Sequence, residues 1–120
     1  MPEEERLRLQ AIAERVARIR SWTEGMEESQ FLADLMARDA VAMSLLVVGE
    51  TSRRLLDETK ERTSEIPWPA ITSLRNRIAH GYETVDHRLV WQIVRQDLPN
   101  LASAIERLLA ESPPQPPALP

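Results

Sequence analysis

The sequence predicts an all-α domain of four to five helices packed as a bundle. Three observations carry this expectation. Glycine occurs only 3 times in 120 residues. Between Pro2 and Pro67 there is no proline to interrupt a helix. Apolar residues recur at intervals of three and four, the period of an amphipathic helix. A chain of 120 residues is long enough for one hydrophobic core; we expect that domain over residues 1–111 and a proline-rich tail over 112–120.

The first helix is expected from Glu3 to Glu24, with Leu9, Ile12, Val16, Ile19 and Trp22 on its inner face, and Gly25 ends it. The second is expected as one long helix from Gln30 to Arg62, with Leu32, Met36, Ala40, Met43 and Val47 as its inward stripe. "SEIPWPA" then breaks the pattern. Pro67 and Pro69 end one element, and Pro69 suits the first turn of the next, which runs to His80 and stops at Gly81. The last helical region starts near Asp86 as N-cap and turns Leu89, Ile93, Leu101, Ile105 and Leu108 inward; Pro99 kinks it or opens a new helix after Asp97. The segment from Ser112 to Pro120 holds five of the 9 prolines and should be extended or disordered.

With 0 cysteines and 2 histidines, thiolate chemistry is excluded and little remains for a metal site. No cofactor is implied. No apolar run reaches the length of a membrane span, and the acidic opening Glu3 to Glu5 is the opposite of a secretory leader, so a cytoplasmic protein is expected. The net charge of -4 argues against binding nucleic acid through an overall basic field. The segment from Ile71 to Arg95 is nevertheless locally basic, carrying Arg75, Arg77, Arg88 and Arg95 against Glu83 and Asp86.

"SLRNRIAHGYE", Ser73 to Glu83, concentrates polar groups in one corner of this chain. On a helical wheel Ile71, Leu74 and Ile78 form the core stripe and Arg75 borders it. A guanidinium there needs a carboxylate, for which Glu50 is the first candidate and Asp39 the second. His80 lies nearly opposite the stripe, flanked one turn back by Asn76 and Arg77. It is either an ordinary surface side chain at a helix end or a group that faces a ligand or a second chain. An imidazole suits the proton transfers of RNA cleavage, and arginine suits the phosphate. One histidine per chain is sparse, whereas two copies about a twofold axis would line one cleft with two sets of Arg75, Asn76, His80 and Tyr82. His87 fits no such pattern and reads as a solvated residue; Trp68 and Trp91 read as core or interface anchors.

The spacing in "RNRIAHGY" resembles the Arg-x4-His-x-Tyr motif of HEPN-domain ribonucleases, in particular the HepT toxins. The blocks "ARDAVAMSLLVVGETSRRL", "IPWPAITSLRNRIAHGY" and "VDHRLVWQIVRQDLPNLASAIERLL" are similar to that family in the same order, over about Phe31 to Leu109. The resemblance implies a homodimeric HEPN-type bundle acting as a metal-independent endoribonuclease toxin on messenger or transfer RNA. It also implies a type VII-like system in which a nucleotidyltransferase antitoxin, MntA, neutralises the toxin by transferring AMP to the motif tyrosine. On this resemblance Arg75 and His80 are catalytic, Asn76 supports them and Tyr82 is the modification site; Arg77, Glu50 and Asp39 join as supporting residues from their places on the helices. Two other readings are a non-catalytic helical module that binds and regulates a nucleotidyltransferase, and a helical dimer that uses the motif for folding alone.

Overall fold

The computed structural model describes residues 1–111; the expected tail, 112–120, lies outside them. Within that span the chain is mostly helical, with no strand among the described residues. Helix α1 runs Glu3–Thr23 and buries Leu9, Ile12, Val16 and Ile19. Trp22, expected on the same face, is 43% exposed, and Thr23 takes the buried position one turn after Ile19. Gly25 follows with φ 77°, a left-handed conformation that an L side chain resists.

The expected single helix from Gln30 to Arg62 is three: α2 (Glu28–Ala33), α3 (Leu35–Arg53) and α4 (Asp57–Glu61). Side chains that compete for backbone groups make both breaks. Asp34 leaves the helical conformation and its carboxylate accepts the Ala37 amide at 3.0 Å, capping α3. Glu5, fully buried on α1, accepts the Leu56 amide at 2.8 Å and the Thr59 hydroxyl, so a distant helix supplies the cap that opens α4. Helix propensity alone shows neither stop.

The breaks also change which face of α3 turns inward. Val41, Ala42, Leu45 and Val48 are buried, with Ser44, Gly49 and Ser52 beside them. The expected stripe is displaced: Met36 is 82% and Met43 58% exposed, and Ala40 and Val47 are only half-buried. Both faces of α3 are apolar enough to satisfy a periodicity test, and only packing against α1 and α5 chooses between them.

Helix α5 spans Trp68–Gly81, with Trp68 buried and its indole donating to Thr63 Oγ1 at 3.1 Å. A single 3-10 turn, Tyr82–Thr84, follows. Asp86 accepts the Arg88 amide at 2.9 Å and caps α6 (His87–Gln92). The helical path then widens into a π segment, Ile93–Asp97, before α7 (Leu98–Glu111). Pro99 has no amide hydrogen for the Arg95 carbonyl, and the wider π register accommodates its ring just where a kink or restart was expected. Leu101, Ile105 and Leu108 are buried as expected, whereas Leu89 is 38% exposed.

Phe31 closes the core, fully buried and stacked on the buried Trp91 with ring centroids 5.1 Å apart. Burial of one such side chain stabilises the fold by about 1.5–3 kcal/mol. Arg95 lies 4.4 Å above the same indole and donates to the Met26 carbonyl, tying the α1–α2 connection to the π segment. This core fixes α3 and α5 side by side, the pair that carries the polar corner. No helix among the described residues is long and apolar enough to cross a membrane.

Candidate functional site

Two helices build the site. α5 carries Arg75, Asn76, Arg77 and His80, and α3 carries Asp39, Gly49 and Glu50. Leu74 and Ile78 are buried and hold α5 in the rotation that its wheel predicts. Arg75 therefore emerges at the edge of the α3–α5 contact, half-buried.

Its partner is the first of the two expected carboxylates. Arg75 Nε stands 3.0 Å from Glu50 Oε2, and the side chains are 20% and 26% exposed. The N–H is not aligned on that oxygen, so both atoms are buried as an ion pair without a proper hydrogen bond. Arg75 Nη1 donates to Asn76 Oδ1 at 3.0 Å, which orients the guanidinium from its other side. Glu50 also receives Arg53 at 2.9 Å and Arg54 at 3.5 Å. One carboxylate thus gathers three guanidinium groups, leaving the cluster net positive and suited to a phosphate.

Gly49 permits this crossing. A Cβ placed there would collide with Arg75 Cβ and lie 2.9 Å from its Cγ. The signal was present in the sequence, since a glycine inside an otherwise strong helix often marks a close approach.

Asp39 does not meet Arg75. It lies toward the other end of α3, where its carboxylate accepts a hydrogen bond from the Tyr82 hydroxyl. Antiparallel packing explains the correction: Gly49 sits opposite Arg75, so Asp39, nearly three turns earlier on α3, faces the chain just past the end of α5. Tyr82 is consequently half-buried, and burial first, then the Asp39 bond, pushes its phenol up to about 12.

His87 is corrected too. It is 8% exposed, its Nδ1 is buried without a hydrogen-bond partner, and its ring meets Tyr82 edge-on at 5.7 Å. Burial first, then the Arg38 charge, holds its imidazole below the ordinary value. His80 and Arg77 are exposed on the outer surface of α5, as is Asn76. Five residues of helix separate Arg75 from His80, about 7.5 Å of rise and about 140° of rotation, so the two groups of one chain diverge. Among the described residues no three His, Asp or Glu side chains gather as metal ligands.

The chain matches the model of a protein family described as Ribonuclease HepT-like over residues 12–108. It is 33% identical over 100 residues to a protein of Thermococcus cleftensis named "Probable ribonuclease HepT", covering 83% of this chain and 91% of that one. It is 32% identical over 85 residues to a Methanocaldococcus jannaschii protein named "Putative RNase MJ1380", covering 71% of this chain and 78% of that one. No solved structure matches it.

Proposed function

Because the chain belongs to the HepT-like ribonuclease family, we propose that it is an endoribonuclease toxin that cuts RNA as a homodimer, without a metal. The observation that carries this reading is that one helix presents both an anchored Arg75 and an exposed His80. In the proposed reaction one His80 takes the proton of a ribose 2'-hydroxyl. The oxygen attacks the adjacent phosphorus, the bond to the 5'-oxygen breaks, and the second chain's imidazole protonates the leaving oxygen. Arg75 carries the charge on the phosphoryl oxygens, with Asn76 and Glu50 holding its guanidinium and Arg77 extending the basic surface. The products are a 2',3'-cyclic phosphate and a 5'-hydroxyl.

The dimer supplies what one chain lacks, because Arg75 and His80 diverge on α5. The face of α3 that the core leaves outside suits this contact. Met36 and Met43 stand exposed on it, beside the half-buried Leu46. A second copy there would bring two motifs to one cleft.

Control is proposed to act through Tyr82, to which an MntA-like nucleotidyltransferase antitoxin adds AMP in the cytoplasm. The added phosphate and nucleoside would place negative charge and bulk beside the RNA path.

The test is RNA cleavage by the purified chain in the presence of a chelator. His80→Ala should lose about 10²–10⁴-fold of the rate while melting like the native protein, since the side chain is exposed. Undiminished cleavage by that variant would overturn the assignment; intact RNA with a stable nucleotidyltransferase complex would favour the non-catalytic module.

A further inference from the structure

Tyr82 does not wait free at the surface. Its hydroxyl donates to the Asp39 carboxylate, and its ring meets the edge of His87 at 5.7 Å and 66°. His87 is itself buried on α6, so the phenol is held between two helices and aimed at one carboxylate. Asp39 makes no ion pair with another described residue that would occupy it. The charged and titratable groups around the phenol are Asp39 and Arg38 of α3, Glu83 beside it in the chain, and His87.

This arrangement bears on how a phenol in that place could react. A neutral phenol is a weak nucleophile, and the surroundings of Tyr82 disfavour its phenolate: burial, Asp39 and Glu83 together outweigh the opposing charge of Arg38. Reaction at neutral pH therefore needs a base that takes the proton as the new bond forms. Such a base must stand within hydrogen-bond reach of the hydroxyl. Asp39 already stands there.

We propose that Asp39 is the general base for modification of Tyr82, its carboxylate taking the phenol proton as the phenol oxygen attacks the α-phosphorus of a nucleoside triphosphate. The proposal rests on the AMP-transfer reading above. The bond from Tyr82 Oη to phosphorus forms and the bond from phosphorus to the bridging oxygen breaks. Pyrophosphate leaves with the electron pair, and the proton passes from Asp39 to solvent. Arg38, whose guanidinium is anchored on the Leu32 carbonyl at 3.2 Å, lies on the same side and offsets charge on the phosphoryl group. His87 positions the ring. On this view the toxin carries part of the chemistry that silences it.

The test uses adenosine 5'-phosphorimidazolide, which presents an AMP group with imidazole as leaving group and needs no partner enzyme. The full chain, Asp39→Asn, Asp39→Glu and Tyr82→Phe are incubated with it at neutral pH, and AMP on the Tyr82 peptide is followed by mass spectrometry. The native chain should gain AMP at Tyr82, Asp39→Asn should do so at least about tenfold more slowly, and Asp39→Glu should recover most of the rate. The Asp39→Asn rate should climb with pH as the phenol ionises, more steeply than the native rate does. Equal rates in the native and Asp39→Asn chains, or no AMP at Tyr82 of the native chain, would overturn the role of Asp39. The labelled protein separates this from the control reading: if it cleaves RNA as fast as the unlabelled chain, control through Tyr82 fails whatever Asp39 does.

Discussion

Arg75 of α5 reaches Glu50 of α3, Nε to Oε2 at 3.0 Å, across a point where α3 has no side chain. The ion pair and Gly49 form one device whose parts can be altered separately.

Gly49→Ala places a methyl group against the stem of Arg75, 2.9 Å from Cγ. Gaining a better helix former should not compensate. We expect a net loss of about 1–3 kcal/mol in urea unfolding, together with slower RNA cleavage because Arg75 is pushed off its carboxylate.

Glu50→Gln keeps the shape and removes the charge that holds Arg53, Arg54 and Arg75 together. The half-buried pair should cost about 1–2 kcal/mol when broken, between the values for exposed and buried pairs. Cleavage at saturating RNA should fall more than RNA binding does, since three arginines remain to attract the backbone. A fall in binding with an unchanged turnover rate would contradict a positioning role for Glu50.

The chain has 1 tyrosine, so phenolate absorbance reports Tyr82 alone. Titration of the native protein should centre near 12. Asp39→Asn should shift it down toward the ordinary value of 10.0, without reaching it, because burial remains.

His87 predicts a stability slope on the acid side. Its folded pKa lies below the 6.5 of an unfolded histidine, so above that pH the ring is neutral in both states and nothing is lost. As pH falls through 6.5 the unfolded chain binds the proton first, and folding stability declines until the folded ring also takes one. Denaturant melts of native protein and His87→Gln over this range should show the slope flattened in the variant.

Met43→Lys tests the outward face of α3. The residue is 58% exposed in a single chain, so the substitution should leave the melting of an isolated chain nearly unchanged. Sedimentation should show the native protein as a dimer and the variant shifted toward monomer, with cleavage lost in parallel. A native monomer that cleaves RNA at full rate would exclude the composite cleft.

The all-α class, the extent of α1 and α5, the Asp86 cap and the disturbance at Pro99 were legible in the sequence. Each depends on local physics: turn propensity, a missing amide hydrogen, or one apolar stripe without a rival. So was the placement of Arg75 and His80 on different sides of α5, because helical geometry determines it. The tertiary structure decided the rest. Two apolar faces of α3 competed, and the contact with α1 and α5 buried Val41, Leu45 and Val48 while leaving Met36 and Met43 outside. Both breaks in the expected second helix depend on backbone groups captured by side chains, one of them 51 residues away in sequence at Glu5. Antiparallel packing gave Glu50 to Arg75 and Asp39 to Tyr82, and it buried His87, which its sequence neighbours present as a surface residue. A local pattern shows which way a side chain leaves its own helix; only the packed neighbours determine what it meets there.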